Sequence, residues 1–259
     1  NEMGVDAIHD FMKPLGFGQI SGIDLPGEVR GILPSTEWKR NYYKKPEQKK
    51  WYGGETISLG IGQGYNTFTM LQLASATATL ASGGMQFKPH VVTATQDALT
   101  HVPTQVNSPE PLNLGFKPEH MSVVRNGLVG VVTSGTSARV FAGAGYSSAG
   151  KTGTAQAVTI GQKDKYNAAN LSEYQRDHAL YMAYAPAEAP KIAVAVVVEN
   201  AGFGAASAAP IARRVFDYWL LGQYPSEEDM AATQKGQTAS PIGKPRTKQD
   251  VPLEARRLN

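Results

Sequence analysis

Residues 145–156 read GYSSAGKTGTAQ, one cation set among small and hydroxylic side chains. Two chemistries fit that pattern. Gly145, four residues, then Gly150, Lys151 and Thr152 is a literal match to the phosphate-binding loop, where backbone amides and a lysine cradle a nucleotide phosphate. That use requires a helix to begin just after the lysine, because helix N-terminal amides face the phosphate. The second use requires a strand. A strand lysine flanked by hydroxyls can support a serine that attacks a peptide carbonyl.

The residues after the lysine favour the strand. Glycine in a first helical turn, as Gly153 would be, costs about 1 kcal/mol relative to alanine. Thr154, Val158 and Thr159 suit an extended chain. The apolar run at 193–199 imitates the acid-ended strand of nucleotide hydrolases, but it ends in Glu199 rather than aspartate. On a strand, Lys151, Gly153 and Ala155 share one face, and Thr152, Thr154 and Gln156 the other. Gly153 lets a substrate backbone lie close. The hydroxyls of Thr152 and Thr154 suit a carboxylate, and the Thr154 N–H suits a developing oxyanion. A nucleotide hydrolase built on Gly145 to Thr152 stands as the alternative.

The elements that must carry this strand are read from periodicity. Ile8, Phe11, Met12 and Leu15 predict a helix stopped at Gly16. Residues 17–66 are punctuated by glycine and proline and predict loop; the basic run at 44–50 reads as a solvated surface. Met70, Leu73, Thr77 and Leu80 predict a helix capped by Thr67 or Thr69. Another runs from Pro118 through Met121, Val124 and Leu128. Strands are predicted at 154–160, 179–185 and 192–198, antiparallel because their last link is short. The third is apolar throughout, as a strand covered on both faces would be. A last helix from Pro210 is predicted to bury Ile211, Val215, Tyr218 and Trp219 and to stop at Gly222. Residues 223–259 have little apolar content and predict a disordered tail.

Composition narrows the classes. With 259 residues, 41% of them hydrophobic, the chain can build a substantial core. A net charge of +3 does not predict nucleic acid binding. The absence of cysteine excludes disulfides and thiol catalysis. The histidines lack paired ligand spacing, so no metal is predicted, and no cofactor. His178, at the opening of a strand, reads as structural.

GKTGTAQ at 150–156 is similar to the third motif of class B penicillin-binding proteins. TISLGIGQGYNTFTMLQLASATATLASGG at 56–84, GIDLPGEVRGILPSTEWKR at 22–40, KKPEQKKWYGGETI at 44–57 and SEYQRDHALYMAYAPAEAPKIAVAVVVENAGFG at 172–204 resemble stretches of the same family, in the same order. Its elongation-specific branch is the nearest. The resemblance spans about residues 1–222.

It implies an α+β fold: an antiparallel sheet with helices on both faces, the penicilloyl-serine transferase architecture. It implies a peptidoglycan D,D-transpeptidase, in which the serine of S-x-x-K attacks the bond between two D-alanines of a stem peptide and an amine resolves the acyl-enzyme. Lys151 is then expected to be catalytic, with Thr152, Gly153, Thr154 and Gln156 contacting substrate and Tyr65 lining the site. The sequence reading takes S-x-x-K and the second motif, S-x-N or S-x-D, to be absent. Residues 1–222 are therefore expected to be the C-terminal part of a transpeptidase domain, with the nucleophile and an N-terminal membrane anchor elsewhere. A non-catalytic remnant is a further alternative. Implied partners are stem peptides, β-lactams and a polytopic glycosyltransferase. The implied location is the periplasmic face of the bacterial inner membrane.

Overall fold

The computed structural model describes residues 3–157, 171–237 and 240–251. The chain divides into two compact units, Asn1–Lys117 and Pro118–Asn259.

In the first unit, α1 (Val5–Met12) runs into a 3₁₀ turn, Lys13–Leu15. Gly16 closes it at φ +96°, the left-handed cap that the sequence predicts. The region expected to be loop holds three short helices: α2 (Thr36–Tyr42), α3 (Pro46–Lys49) and α4 (Gly53–Gly60). Capping, rather than periodicity, starts each one. Ser35 Oγ accepts the Trp38 N–H at 2.9 Å. Pro46 fills the first turn of α3, where its missing N–H costs nothing. The Glu55 carboxylate accepts the Tyr52 N–H at 2.8 Å.

Helix α5 (Met70–Ala81) starts on Thr69, one of the two predicted caps. Thr69 Oγ1 accepts the Gln72 N–H, and Gln72 Oε1 accepts the Thr69 N–H, both at 3.1 Å. Strands β1 (Met85–Gln86), β2 (Ala94–Gln96), β3 (Pro103–Gln105) and β4 (Leu112–Asn113) form two antiparallel ribbons, β1 with β4 and β2 with β3. The core here is Leu15, Phe17, Leu33 and Ala76, with Phe68 and Leu73 packed on it.

In the second unit, α6 (Pro118–Thr133) and α7 (Ala138–Phe141) precede β5 (Ala149–Ala155), β6 (His178–Ala185) and β7 (Ile192–Val198). These strands form one antiparallel sheet in the order β5-β6-β7, as predicted. Strand β5 begins five residues before its predicted start, and positions 158–160 of that prediction lie outside the described residues. The buried face of β6 is Ala179, Tyr181, Ala183 and Ala185. Phe141 of α7 stacks on Tyr181 at 6.0 Å. Tyr184 points to the opposite face and is buried there as well. Strand β7 differs from expectation: Ile192, Val194 and Val196 pack on the core, while Val197 on the other face is 39% exposed.

Helices α8 (Gly204–Ser207) and α9 (Ala209–Leu221) close this core. The predicted buried face of α9 is wrong. Ile211, Val215, Tyr218 and Trp219 point outward, Trp219 at 63% exposure. Ala209, Ala212, Arg213, Phe216 and Asp217 are buried instead. The alanines let α9 come close to the small side chains of β6. Arg213 is buried with its charge satisfied: Nε donates to Asp217 at 2.8 Å, and Nη1 to the Val140 carbonyl at 3.1 Å. A charge paired this completely can sit where an unpaired one could not. Gly222, at φ +64°, ends α9 as predicted.

The segment after Gly222, expected to be disordered, carries α10 (Glu227–Gln234). Asp229 is 1% exposed and takes a two-pronged contact from Arg214 of α9, Nε to Oδ2 at 2.8 Å and Nη2 to Oδ1 at 2.6 Å. Tyr224 and Arg246 pair across an antiparallel bridge. Polar contacts order this segment, and a reading of apolar content cannot detect them.

Candidate functional site

Strand β5 carries Lys151, Thr152, Gly153 and Thr154, and it is an edge of the described sheet. An edge strand has one side without a neighbouring strand, where an extended ligand can pair. Its register with β6 fixes the faces. Lys151 pairs with Met182 and Gly153 with Leu180; Thr152 pairs with Tyr181 and Thr154 with Ala179. Lys151 is exposed, and its Nζ donates to the Thr152 carbonyl at 2.8 Å. Gln156 is also exposed and lies one residue beyond the strand.

Three features of this strand were not visible in the motif. The first is Thr136, whose Oγ1 lies 3.1 Å from Thr152 Oγ1. It comes from the turn after α6, which the sequence marks only as a helix break. The second is the support beneath Gly150. A Cβ there would stand 2.5 Å from Tyr181 Oη, so only glycine fits. That phenol meets Ser137 Oγ at 3.0 Å, and Ser137 in turn donates to the Val131 carbonyl. Burial pushes the Tyr181 hydroxyl up to about 12, so it stays a neutral donor. The third is Gly204. Its Cβ would lie 2.1 Å from the Leu180 carbonyl oxygen and 2.6 Å from that of Gly153. The start of α8 thus presses on the backbone of β5 and β6 at Gly153.

The expectation that S-x-x-K is absent needs correction. Ser148, Ala149, Gly150 and Lys151 spell it. The letters do not make the site. On a helix, residues three apart share a face. Here Lys151 is on a strand, where positions three apart point to opposite sides. Ser148 is buried at 4% exposure, with no hydrogen-bond partner for its Oγ, while Lys151 is exposed. This serine is not presented as a nucleophile. The phosphate-loop alternative also fails on geometry, since Gly150, Lys151 and Thr152 are strand residues and the strand runs on to Ala155, where that loop needs its helix to start.

Tyr65 belongs to the first unit, and its hydroxyl is engaged there, donating to Glu55 Oε1 at 2.8 Å. Glu55 also accepts from Lys39, a buried lysine whose ammonium lies 5.3–5.5 Å from the ring centroids of Trp51, Tyr52 and Tyr65. Tyr65 is a wall of this lysine cage. Burial works to raise the Glu55 pKa, but hydrogen bonds from Lys39, Tyr52 and Tyr65 outweigh it and hold the carboxyl below its ordinary 4.5. Stability from a depressed carboxylate is complete above its unfolded value and is lost as pH falls through its folded one. The first unit is therefore expected to lose stability on acidification below about 4.5, followed by the fluorescence of Trp38 and Trp51. Glu55→Gln should flatten that dependence. An unchanged acid profile in the variant would show that the cage does not hold the unit. His178, read as structural, has its Nδ1 bonded by the Asn200 N–H at 3.0 Å.

An exposed lysine on the edge of an antiparallel sheet, followed by hydroxyl, glycine and hydroxyl and backed by a C-terminal helix, places the chain in the class of penicillin-recognising acyl-serine transferases. More narrowly, the chain belongs to the penicillin-binding protein transpeptidase family: the model described as penicillin binding protein transpeptidase domain matches residues 1–217. It is 45% identical over 222 residues to the peptidoglycan D,D-transpeptidase MrdA of Acinetobacter baumannii, covering 85% of this chain and 32% of that protein. To MrdA of Escherichia coli K12 it is 37% identical over 223 residues, covering 85% and 34%. Among solved structures, Pseudomonas aeruginosa PBP2 in complex with WCK 5153 aligns with TM-score 0.66 at 38% identity, covering 85% of this chain and 45% of that one. Helicobacter pylori PBP2, solved with MreC, aligns with TM-score 0.67 at 27% identity, covering 85% and 37%. The chain spans about a third of the length of the curated relatives it matches.

Proposed function

We propose that this chain supplies the lysine-bearing part of a serine-type peptidoglycan D,D-transpeptidase that cross-links stem peptides during cell-wall elongation. The observation that carries the reading is Lys151-Thr152-Gly153-Thr154 on an edge strand of the sheet. A stem peptide ending in two D-alanines lies along β5. Lys151 supplies positive charge beside the reacting serine, Thr152 and Thr154 hold the terminal carboxylate, and the Thr154 N–H donates to the oxyanion. Thr136 orients the Thr152 hydroxyl. Gln156, past the end of the strand, reaches the substrate backbone. Tyr65 contributes by holding its own loop rather than by touching substrate.

The serine comes from sequence outside these residues, because no serine here stands one helical turn before a lysine. β-Lactams would enter as substrate mimics. Residues 1–222 act as one part of the transpeptidase domain, and α10 docks on α9 through Asp229 and Arg214. Supporting a role in elongation, one aligned structure is of PBP2 in complex with MreC and another is of a peptidoglycan synthase complex that coordinates polymerisation and cross-linking. A polytopic glycosyltransferase is accordingly the proposed partner, and the periplasmic face of the inner membrane the proposed location. No helix among the described residues is long and apolar enough to cross a membrane.

The test is labelling by a fluorescent penicillin. The 259-residue chain alone is expected to remain unlabelled. Fused behind the upstream part of the transpeptidase domain of a longer relative, it is expected to be labelled. Labelling of the chain alone, or none in the folded fusion, would refute this reading.

A further inference from the structure

The first unit holds a surface that the transpeptidase reading does not use. Residues 40–50 carry five exposed cations, Arg40, Lys44, Lys45, Lys49 and Lys50, against the single acid Glu47. The whole chain has a net charge of only +3, so the rest of the molecule is close to neutral. The charge lies beside aromatic rings. Tyr42 is 61% exposed and stacks on Trp38 at 5.0 Å and 24°. Trp38 is half-buried against Tyr65, 5.2 Å away, in the wall of the Lys39 cage. Tyr42 therefore rests on the Trp38 ring, meets the Tyr43 ring edge-to-face at 5.1 Å and 80°, and still leaves most of its surface exposed. Lys50 Nζ stands 5.7 Å from the centroid of Tyr52, which is 50% exposed.

We propose that this face binds an acidic glycan, with a sugar ring on the exposed side of Tyr42 and the polymer's carboxylates on the lysines around α3. A flat aromatic face suits the C–H face of a pyranose. A ring that is already stacked loses little freedom when a ligand covers it. A concentrated basic patch on an otherwise nearly neutral molecule draws an anionic polymer to that spot. An anionic membrane would meet the same lysines, but it gains most from side chains that project and insert. The exposed aromatic ring here lies on its neighbour instead. The proposal rests on the cell-wall reading only for the source of the polymer.

The probe is a soluble glycan of alternating N-acetylated sugars with one free lactyl carboxylate per disaccharide, stripped of peptide. It cannot occupy the strand site proposed for stem peptides. The chain is expected to bind it, more weakly as salt rises. Replacing Lys44, Lys45, Lys49 and Lys50 together by glutamine should weaken binding about tenfold or more. Tyr42→Ala should weaken it about threefold or more. A neutral chitin oligosaccharide of equal length should bind less well than the acidic strand. All these side chains are exposed, so circular dichroism should report unchanged folding. Failure of the chain to bind, or binding undiminished in both variants, overturns the proposal. So does binding to vesicles of phosphatidylglycerol and phosphatidylcholine, lost in the lysine variant, without glycan binding; exposed Ile57 and Ile61 make that the competing outcome to measure. Failed penicillin labelling with intact glycan binding would sink the transpeptidase reading alone. The reverse pattern would sink this one.

Discussion

Lys151→Ala is expected to slow acylation by a fluorescent penicillin about 10²- to 10⁴-fold in the fusion that supplies the missing serine. The size of the effect follows from position. The Lys151 ammonium is exposed, and the bond its Nζ makes is to the carbonyl of the next residue. Little of the fold depends on it, so the melting temperature should hold. On the transpeptidase reading, what is lost is a positive charge at the edge strand, where developing negative charge would be stabilised. Lys151→Arg should recover only part of the rate, because a planar guanidinium cannot replace a compact ammonium in the same space. The measurement is the pseudo-first-order labelling rate at several penicillin concentrations. An unchanged rate in Lys151→Ala would reduce the motif to an ordinary strand with a lysine on it.

Asp229→Ala is expected to release the segment after Gly222 and to lower unfolding free energy by about 3 kcal/mol. Asp229 is buried, and both of its carboxylate oxygens receive the Arg214 guanidinium. Its Oδ1 also accepts the Ile242 N–H at 3.3 Å, and Ser226 Oγ, which caps α10, donates to the Ile242 carbonyl at 2.6 Å. Removing the carboxylate takes away the counter-charge that Asp229 gives the partly buried Arg214 guanidinium and cuts the tie between α9, α10 and residue 242. Two readouts separate local from global loss. Limited proteolysis should cut between 223 and 251, and urea unfolding should shift to a lower midpoint. The double variant Arg214→Met with Asp229→Leu should recover part of the loss, since apolar replacement removes the unpaired charge. Full protease protection in Asp229→Ala would mean that the segment is held by other contacts.

Much of the candidate site's geometry was legible in the sequence because a strand is a local object. Lys151, Thr152, Gly153 and Thr154 are consecutive, and alternation assigns their faces without any knowledge of the fold. Helix ends at Gly16, Thr69, Pro118 and Gly222 were legible for the same reason: a cap or a left-handed glycine is decided within a few residues. The three antiparallel strands followed from two apolar runs, a short link and an extended motif.

Tertiary structure decided what the motif rests on. Thr136, Tyr181 and Gly204 reach β5 from 16 to 51 residues away in sequence, and no local pattern records that approach. It also decided which side of a helix is inside. In α9 the largest apolar side chains favoured one face, yet the core took the face with alanines, because β6 presents small side chains that only a close-packed helix can cover. Burial of Arg213 and Asp217 there depends on each finding the other and on the carbonyl of Val140, a partner outside the helix. The order of the segment after Gly222 has the same origin. Its apolar content is too low to predict folding, but one carboxylate meeting the guanidinium of Arg214 supplies the missing contact. Sequence alone fixes what is set by neighbouring residues; long-range pairing of charges, and the choice between two faces that could both be buried, are settled only when the chain packs.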